Sequence, residues 1–212
     1  MTKEQIMSLI DRMNTVEDIT DSSHSISFKA HREAEQIADI TLLPVLQEII
    51  LENIKPKGKK IRNSAYFIMG KLLKTQFDLL SCEFFIHRLK EENDKYILSG
   101  MLDRLADLDI PESMDISPVV LLSKSEKWLI RHSAINALGA CGSEESKAAL
   151  AYYLQQDDEK TYRNEITYAN AALGRIGNET DIPMLEKHAD SRLRDVRDSA
   201  MFAINAIMER IK

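Results

Sequence analysis

The apolar positions of this chain recur at helical spacing around a series of small residues. Three segments share one order of residue types: Ile61-Arg62-Asn63-Ser64-Ala65, Ile130-Arg131-His132-Ser133-Ala134 and Val196-Arg197-Asp198-Ser199-Ala200. Fainter copies surround Ser99-Gly100 and Tyr168-Ala169, and counting back reaches Lys29-Ala30. The series Ala30, Ala65, Gly100, Ala134, Ala169 and Ala200 advances in steps of about 31 to 35 residues, the period of a helical repeat array. Four positions before these anchors stand Ile26, Ile61, Tyr96, Ile130 and Val196; four after stand Ala34, Met69, Leu138, Leu173 and Ile204. Residues i and i+4 share one helix face, so the copies share an apolar stripe. The small residue at its centre predicts neighbouring helices stacked too closely to admit a larger side chain.

A second register has the same period. Ala137-Leu138-Gly139-Ala140-Cys141-Gly142 recurs as Ala172-Leu173-Gly174-Arg175-Ile176-Gly177. The later glycine of each copy is expected at a helix C-terminus with positive φ. Ser143 and Thr180, followed by acidic residues, suit the starts of the next helices, and Pro183 suits a first turn. The pattern predicts helices near 3–14, 25–39, 42–53, 60–74, 80–92, 94–108, 112–123, 127–140, 144–155, 161–176, 181–189 and 193–211. They pair as a first (A) and second (B) helix with short connections. No pair can bury its own apolar face, whereas stacked neighbours share a core. The first copy, where Glu33 and Glu35 follow Ala30, has the polar outer side of a capping unit.

Composition agrees with an all-α chain. Of 212 residues only 7 are Gly and 5 Pro, few for a fold built on tight turns, while 44% are hydrophobic and 29% charged. A net charge of −6 gives the molecule no general attraction for nucleic acid or an anionic membrane, so either contact would need a local basic patch. The start lacks a basic segment followed by an apolar one, and no apolar run approaches the roughly 20 residues of a spanning helix. A cytoplasmic location is therefore expected. Cys82 and Cys141 stand far apart inside helical patterns and are expected as buried, reduced thiols.

The run Ala172-Leu173-Gly174-Arg175-Ile176-Gly177-Asn178-Glu179-Thr180-Asp181-Ile182-Pro183-Met184-Leu185 resembles the HEAT-like repeat of the type described in phycobilisome lyases. The Ile130-Arg131 and Val196-Arg197 helix starts resemble the V-R-x-x-A element of the same repeat. The similarity is strongest over residues 126–212, fair at 56–75 and weak elsewhere. It implies a right-handed α-α superhelix of about six helix pairs. One repeat domain is expected over residues 1–212, irregular in 1–55 and more regular in 56–212. Family members bind other proteins along a concave surface lined by B helices, and an Asp and an Arg commonly bond between repeats. Here Asp190 and Arg197 are the candidates; no equivalent Asp accompanies Ile61 or Ile130.

Candidate chemistry is sparse. Phosphate-loop, dinucleotide, nucleophile-elbow and zinc-protease motifs are missing, as are the His-Glu dipeptides of di-iron HEAT hydroxylases. His31 and Glu35 have the i, i+4 spacing of metal ligands, but such a lone pair is commonly a solvated face, and no metal or cofactor is expected. The densest charge lies in Lys55-Pro56-Lys57-Gly58-Lys59-Lys60-Ile61-Arg62, a phosphate site if its helix start is open and otherwise a solvated turn. Lys127/Arg131, Lys160/Arg163 and Arg192/Arg194/Arg197 occupy equivalent turns, so stacking would align a basic ridge. On the B helices Phe67, Leu98, Leu102, Leu105 and Phe202 point away from the core in the phase set by the anchors; in a phase one residue away they are core. Trp128 with Arg131 resembles the W-x-x-R start of alkylpurine glycosylases built from HEAT repeats, although packing at a repeat junction also accounts for it. The expected function is a monomeric, non-catalytic scaffold whose B-helix face takes a protein partner. Phe67, Leu98, Leu102 and Phe202 would be its anchors, with Lys59, Lys60, Arg62, Arg131 and Arg197 selecting by charge. Phosphate or nucleic-acid binding through the basic turns is the alternative.

Overall fold

A computed structural model describes residues 1–212 apart from Ser22. Twelve α-helices are found among the described residues, together with short 3-10 turns and a single isolated bridge between Ile110 and Cys141. They are α1 (Lys3–Met13), α2 (Ile26–Glu35), α3 (Leu43–Glu52), α4 (Lys59–Thr75), α5 (Leu79–Arg88) and α6 (Lys95–Leu105). The second half continues with α7 (Ser117–Ser123), α8 (Trp128–Leu138), α9 (Glu144–Leu154), α10 (Arg163–Ile176), α11 (Ile182–Ala189) and α12 (Arg194–Ile211). Each corresponds to one expected helix. Their starts follow from local chemistry: Thr2, Ser25, Asp94 and Ser143 accept hydrogen bonds from amides of the first turn, and Pro44, Pro118 and Pro183 sit where no intrahelical donor is needed.

The chain gathers into two compact units, Met1–Phe85 and Ile86–Lys212. In the first, α1 packs on α2, α3 on α4, and both α1 and α2 touch α4. Ile6, Leu9, Ile10, Leu46, Ile49, Ile50, Ile68, Met69 and Leu72 are fully buried there, and Tyr66 meets Phe85 edge to face. In the second unit α6, α8, α10 and α12 pack in succession as one layer. The other layer is α7, α9 and α11, each packed against the B helix that follows it. Tyr153 ties α9 to α7 within that layer: its buried hydroxyl donates 2.6 Å to the Ser123 carbonyl, and burial pushes the phenol up to about 12.

Four sequence expectations change. α2 ends at Glu35, four residues early. α7 begins at Ser117 rather than 112, because the Ile110 amide donates 2.8 Å to the Ala140 carbonyl and residues 111–114 then close a turn, the Met114 amide donating to the Pro111 carbonyl. No glycine among the described residues has positive φ. Gly177 is instead required by crowding, since a methyl group there would lie 2.7 Å from the Leu173 carbonyl oxygen and 3.0 Å from Ile207. Ala30, Ala65, Ala134, Ala169 and Ala200 are all fully buried, but Gly100 is half-exposed and a methyl group there would meet nothing within 4 Å. The anchor phase therefore fails on α6. That helix buries Ile97, Leu98, Met101, Leu102 and Leu105, a stripe centred one residue later, and leaves Tyr96 outside.

Candidate partner-binding face

The rotated stripe decides the fate of two expected anchors. Leu98 and Leu102, with Leu105, are core residues of the second unit and present nothing to a partner. Phe67 on α4 is half-buried, edge-on to the His31 ring at 5.5 Å and beneath the Lys71 ammonium at 5.9 Å. Phe202 on α12 is 68% exposed, as the anchor phase requires. One register thus gives a core residue on α6 and a surface residue on α12.

The arginines of the repeated segment hold the preceding turn. Arg62 donates 2.7 Å to the Asn53 carbonyl, Arg131 donates 2.7 Å to that of Ser125, and Arg197 donates 3.2 Å to that of Ser191, one residue beyond Asp190. The expected Asp–Arg ladder is thus replaced by arginine bonds to main-chain carbonyls, which supply a helix end with donors it lacks. A second set works at the other end of the B helices. Arg175 reaches the Gly139 and Asn136 carbonyls, while Arg210 donates 2.7 Å to those of Gly174 and Gly177. Burial lowers the Arg175 guanidinium below its ordinary range. The basic ridge is only partly neutralised: Arg163 pairs with Asp195 and Arg194 with Asp198, while Lys127, Lys160 and Arg192 are exposed. Of the expected cations, Lys59 and Lys60 remain exposed at the start of α4. His31 and Glu35 have other partners: His31 Nδ1 lies 2.8 Å from the Ser27 carbonyl, and Glu35 pairs with Arg32.

The second unit instead brings together aromatic residues on the B-helix layer. Tyr96, Trp128, Tyr168, Met201 and Phe202, on α6, α8, α10 and α12, are 63, 64, 40, 49 and 68% exposed. Trp128 lies outside the core, exposed at the boundary between α8 and α10. Its ring stands 5.7 Å from that of His132, which lies 5.1 Å from Tyr168 at a shallow angle of 31°. These rings, with Thr161 and Asn164, line an open cavity of about 510 Å³ between α8 and α10. At its base lies Glu165, whose Oε1 receives Arg131 Nε at 2.7 Å and His132 Nε2 at 3.1 Å. Burial by itself would raise the Glu165 carboxyl; donation from Arg131, its own amide and His132 outweighs that and holds it below the usual range. Glu165 and Tyr168 escaped the sequence reading. The available signal was that Glu165 stands 34 residues after Arg131, one repeat on.

Comparisons with known proteins place this geometry. Residues 82–171 match the HEAT-repeat family, from α5 into α10, overlapping only part of the region most similar to the lyase-type motif. No curated protein matches the chain in sequence. A designed armadillo repeat protein superposes with TM-score 0.50 at 15% identity, covering 95% of this chain and 99% of its own. A second, in complex with a (KR)4 peptide, gives 0.51 at 14% over 96% and 99%. An engineered protein gives 0.52 at 16% over 97% of each chain. At these identities the likeness is one of fold: an all-α armadillo/HEAT-type solenoid.

Proposed function

We propose that this chain, a HEAT-like repeat protein, is a non-catalytic scaffold that seats a protein partner on the α6, α8, α10 and α12 layer of residues 86–212. The supporting observation is the set of large exposed apolar side chains, Tyr96, Trp128, Tyr168, Met201 and Phe202, spread over the successive helices of that layer. Leaving several such residues in water is unfavourable, and large apolar side chains exposed together on one layer are what interaction sites use. Trp and Tyr are also the side chains that concentrate binding energy at interfaces. Phe202 remains from the expected anchors, while Trp128 and Tyr168 take the place of the buried Leu98 and Leu102. A fold shared with a designed repeat protein that binds a (KR)4 peptide, and a net charge of −6, favour a basic partner segment.

The test is affinity capture with the purified chain and a Trp128→Glu/Phe202→Glu double variant. The wild type should retain a defined partner that the variant loses while keeping its helical signal and melting temperature. Identical capture by both proteins would overturn the assignment.

A further inference from the structure

The cavity between α8 and α10 is lined by a buried acceptor, the Glu165 carboxylate. The Glu165 side chain is 92% buried, a costly place for a carboxylate unless its oxygens are bonded. Oε1 is saturated by Arg131 Nε, Arg131 Nη2 and His132 Nε2 at 2.7, 2.7 and 3.1 Å. Among the described residues, none donates to Oε2 from elsewhere in the chain. Glu165 lines the cavity, and a buried carboxylate whose bonds from other residues crowd onto one oxygen keeps acceptor capacity for a donor from outside.

The surroundings define that donor. Arg131 is largely committed, because Nη1 is held by the Ser125 and Glu126 carbonyls while Nε and Nη2 both bond Glu165, whose charge offsets its own. A phosphate or carboxylate entering here would meet the Glu165 charge without a free cation to offset it. The walls include the Trp128 and Tyr168 rings, whose faces attract cations. Acceptor below and π-faces at the sides match a planar cation that donates hydrogen bonds in its own plane. Guanidinium does both, stacking on an aromatic face while its fork reaches a carboxylate oxygen. A nucleobase amino group would also satisfy Oε2, but its phosphates would approach a molecule of net charge −6.

We infer, on the scaffold function proposed above, that this cavity is the specificity pocket for an arginine side chain of the partner polypeptide, bound to the Glu165 carboxylate beside the Trp128 and Tyr168 rings. The chain contains 1 Trp, so Trp128 fluorescence reports on this cavity alone. The full chain is titrated with a Gly-Ser peptide bearing spaced arginines, with the same peptide carrying citrulline, and with an oligothymidylate. The arginine peptide should change Trp128 emission saturably and bind at least tenfold more tightly than the citrulline peptide, with the oligothymidylate weakest. Glu165→Gln should lose that preference. Tyr168→Ala, a change at a half-exposed ring that leaves the Glu165 bonds intact, should weaken arginine binding several-fold with an unchanged melting temperature.

Equal affinity for arginine and citrulline peptides, or tighter binding of the oligothymidylate, would overturn the pocket. So would arginine binding that neither Glu165→Gln nor Tyr168→Ala weakens. The two proposals fail separately. Indifference to citrulline alongside partner capture still lost in Trp128→Glu/Phe202→Glu removes the arginine pocket alone. Capture untouched by that double variant removes the scaffold assignment whatever the peptides do.

Discussion

Two glycines inside helices of the second unit should respond oppositely to the same substitution. Replacing glycine by alanine within a helix gains about 1 kcal/mol, because the unfolded chain loses freedom and helix propensity rises. At Gly100 a methyl group meets nothing within 4 Å, so Gly100→Ala should collect that gain in full. At Gly174 the methyl would lie 2.8 Å from the Ala203 Cα and 2.9 Å from its Cβ. The obstacle is backbone rather than a movable side-chain end, so α10 and α12 must separate. Such overpacking costs roughly 1–3 kcal/mol, leaving Gly174→Ala neutral to about 2 kcal/mol less stable after the propensity gain. The two variants should therefore differ by about 1–3 kcal/mol. For a chain of this length each kcal/mol shifts the melting temperature by roughly 2–4 °C. Thermal unfolding followed by far-UV circular dichroism, with urea unfolding as a check, measures both. A Gly174→Ala protein as stabilised as Gly100→Ala would refute the close approach of α10 and α12.

Other consequences are equally direct. Arg131→Lys and Arg197→Lys should each lose roughly 1.5–3 kcal/mol in urea unfolding, since a lysine cannot reproduce the guanidinium bonds to the preceding turn. The Glu165 carboxyl lies below its ordinary value in the folded chain, so its contribution is complete above about pH 4.3 and disappears as pH falls through the depressed folded value. The melting-temperature gap between wild type and Glu165→Gln should accordingly be constant near neutrality and close below about pH 4. A gap that stays open in acid would show that Glu165 is not ionised in the fold. Tyr153→Phe removes the 2.6 Å bond to the Ser123 carbonyl and should cost about 1 kcal/mol. Cys82 and Cys141 are both buried, so a thiol reagent should label the native protein far more slowly than the urea-unfolded one.

The helices were legible because their signals are local. Ser143 and Pro183 mark starts that the structure keeps, and stripes around Ala65, Ala134 and Ala200 face inward as their spacing requires. Phase on α6 was not legible. There the position of Gly100 was fixed by counting repeats, whereas the core selects Ile97, Met101 and Leu105. Arg62, Arg131 and Arg197 looked like surface charge because a guanidinium bonded to carbonyls leaves no complementary residue in the sequence to find. Glu165 became visible only when stacking set α10 beside α8, and Trp128 only when α8 proved to start outside the core.

The face itself is the central claim, and site-specific photo-crosslinking tests it most directly. A photoreactive residue is placed in turn at Tyr168 and Phe202 on the B-helix layer, and at Leu121 and Glu186 on α7 and α11 of the opposite layer. All four chains are incubated with the captured partner. The account predicts crosslinks from positions 168 and 202 and none from 121 and 186. Crosslinks from 121 or 186 with silence at 168 and 202 would contradict it.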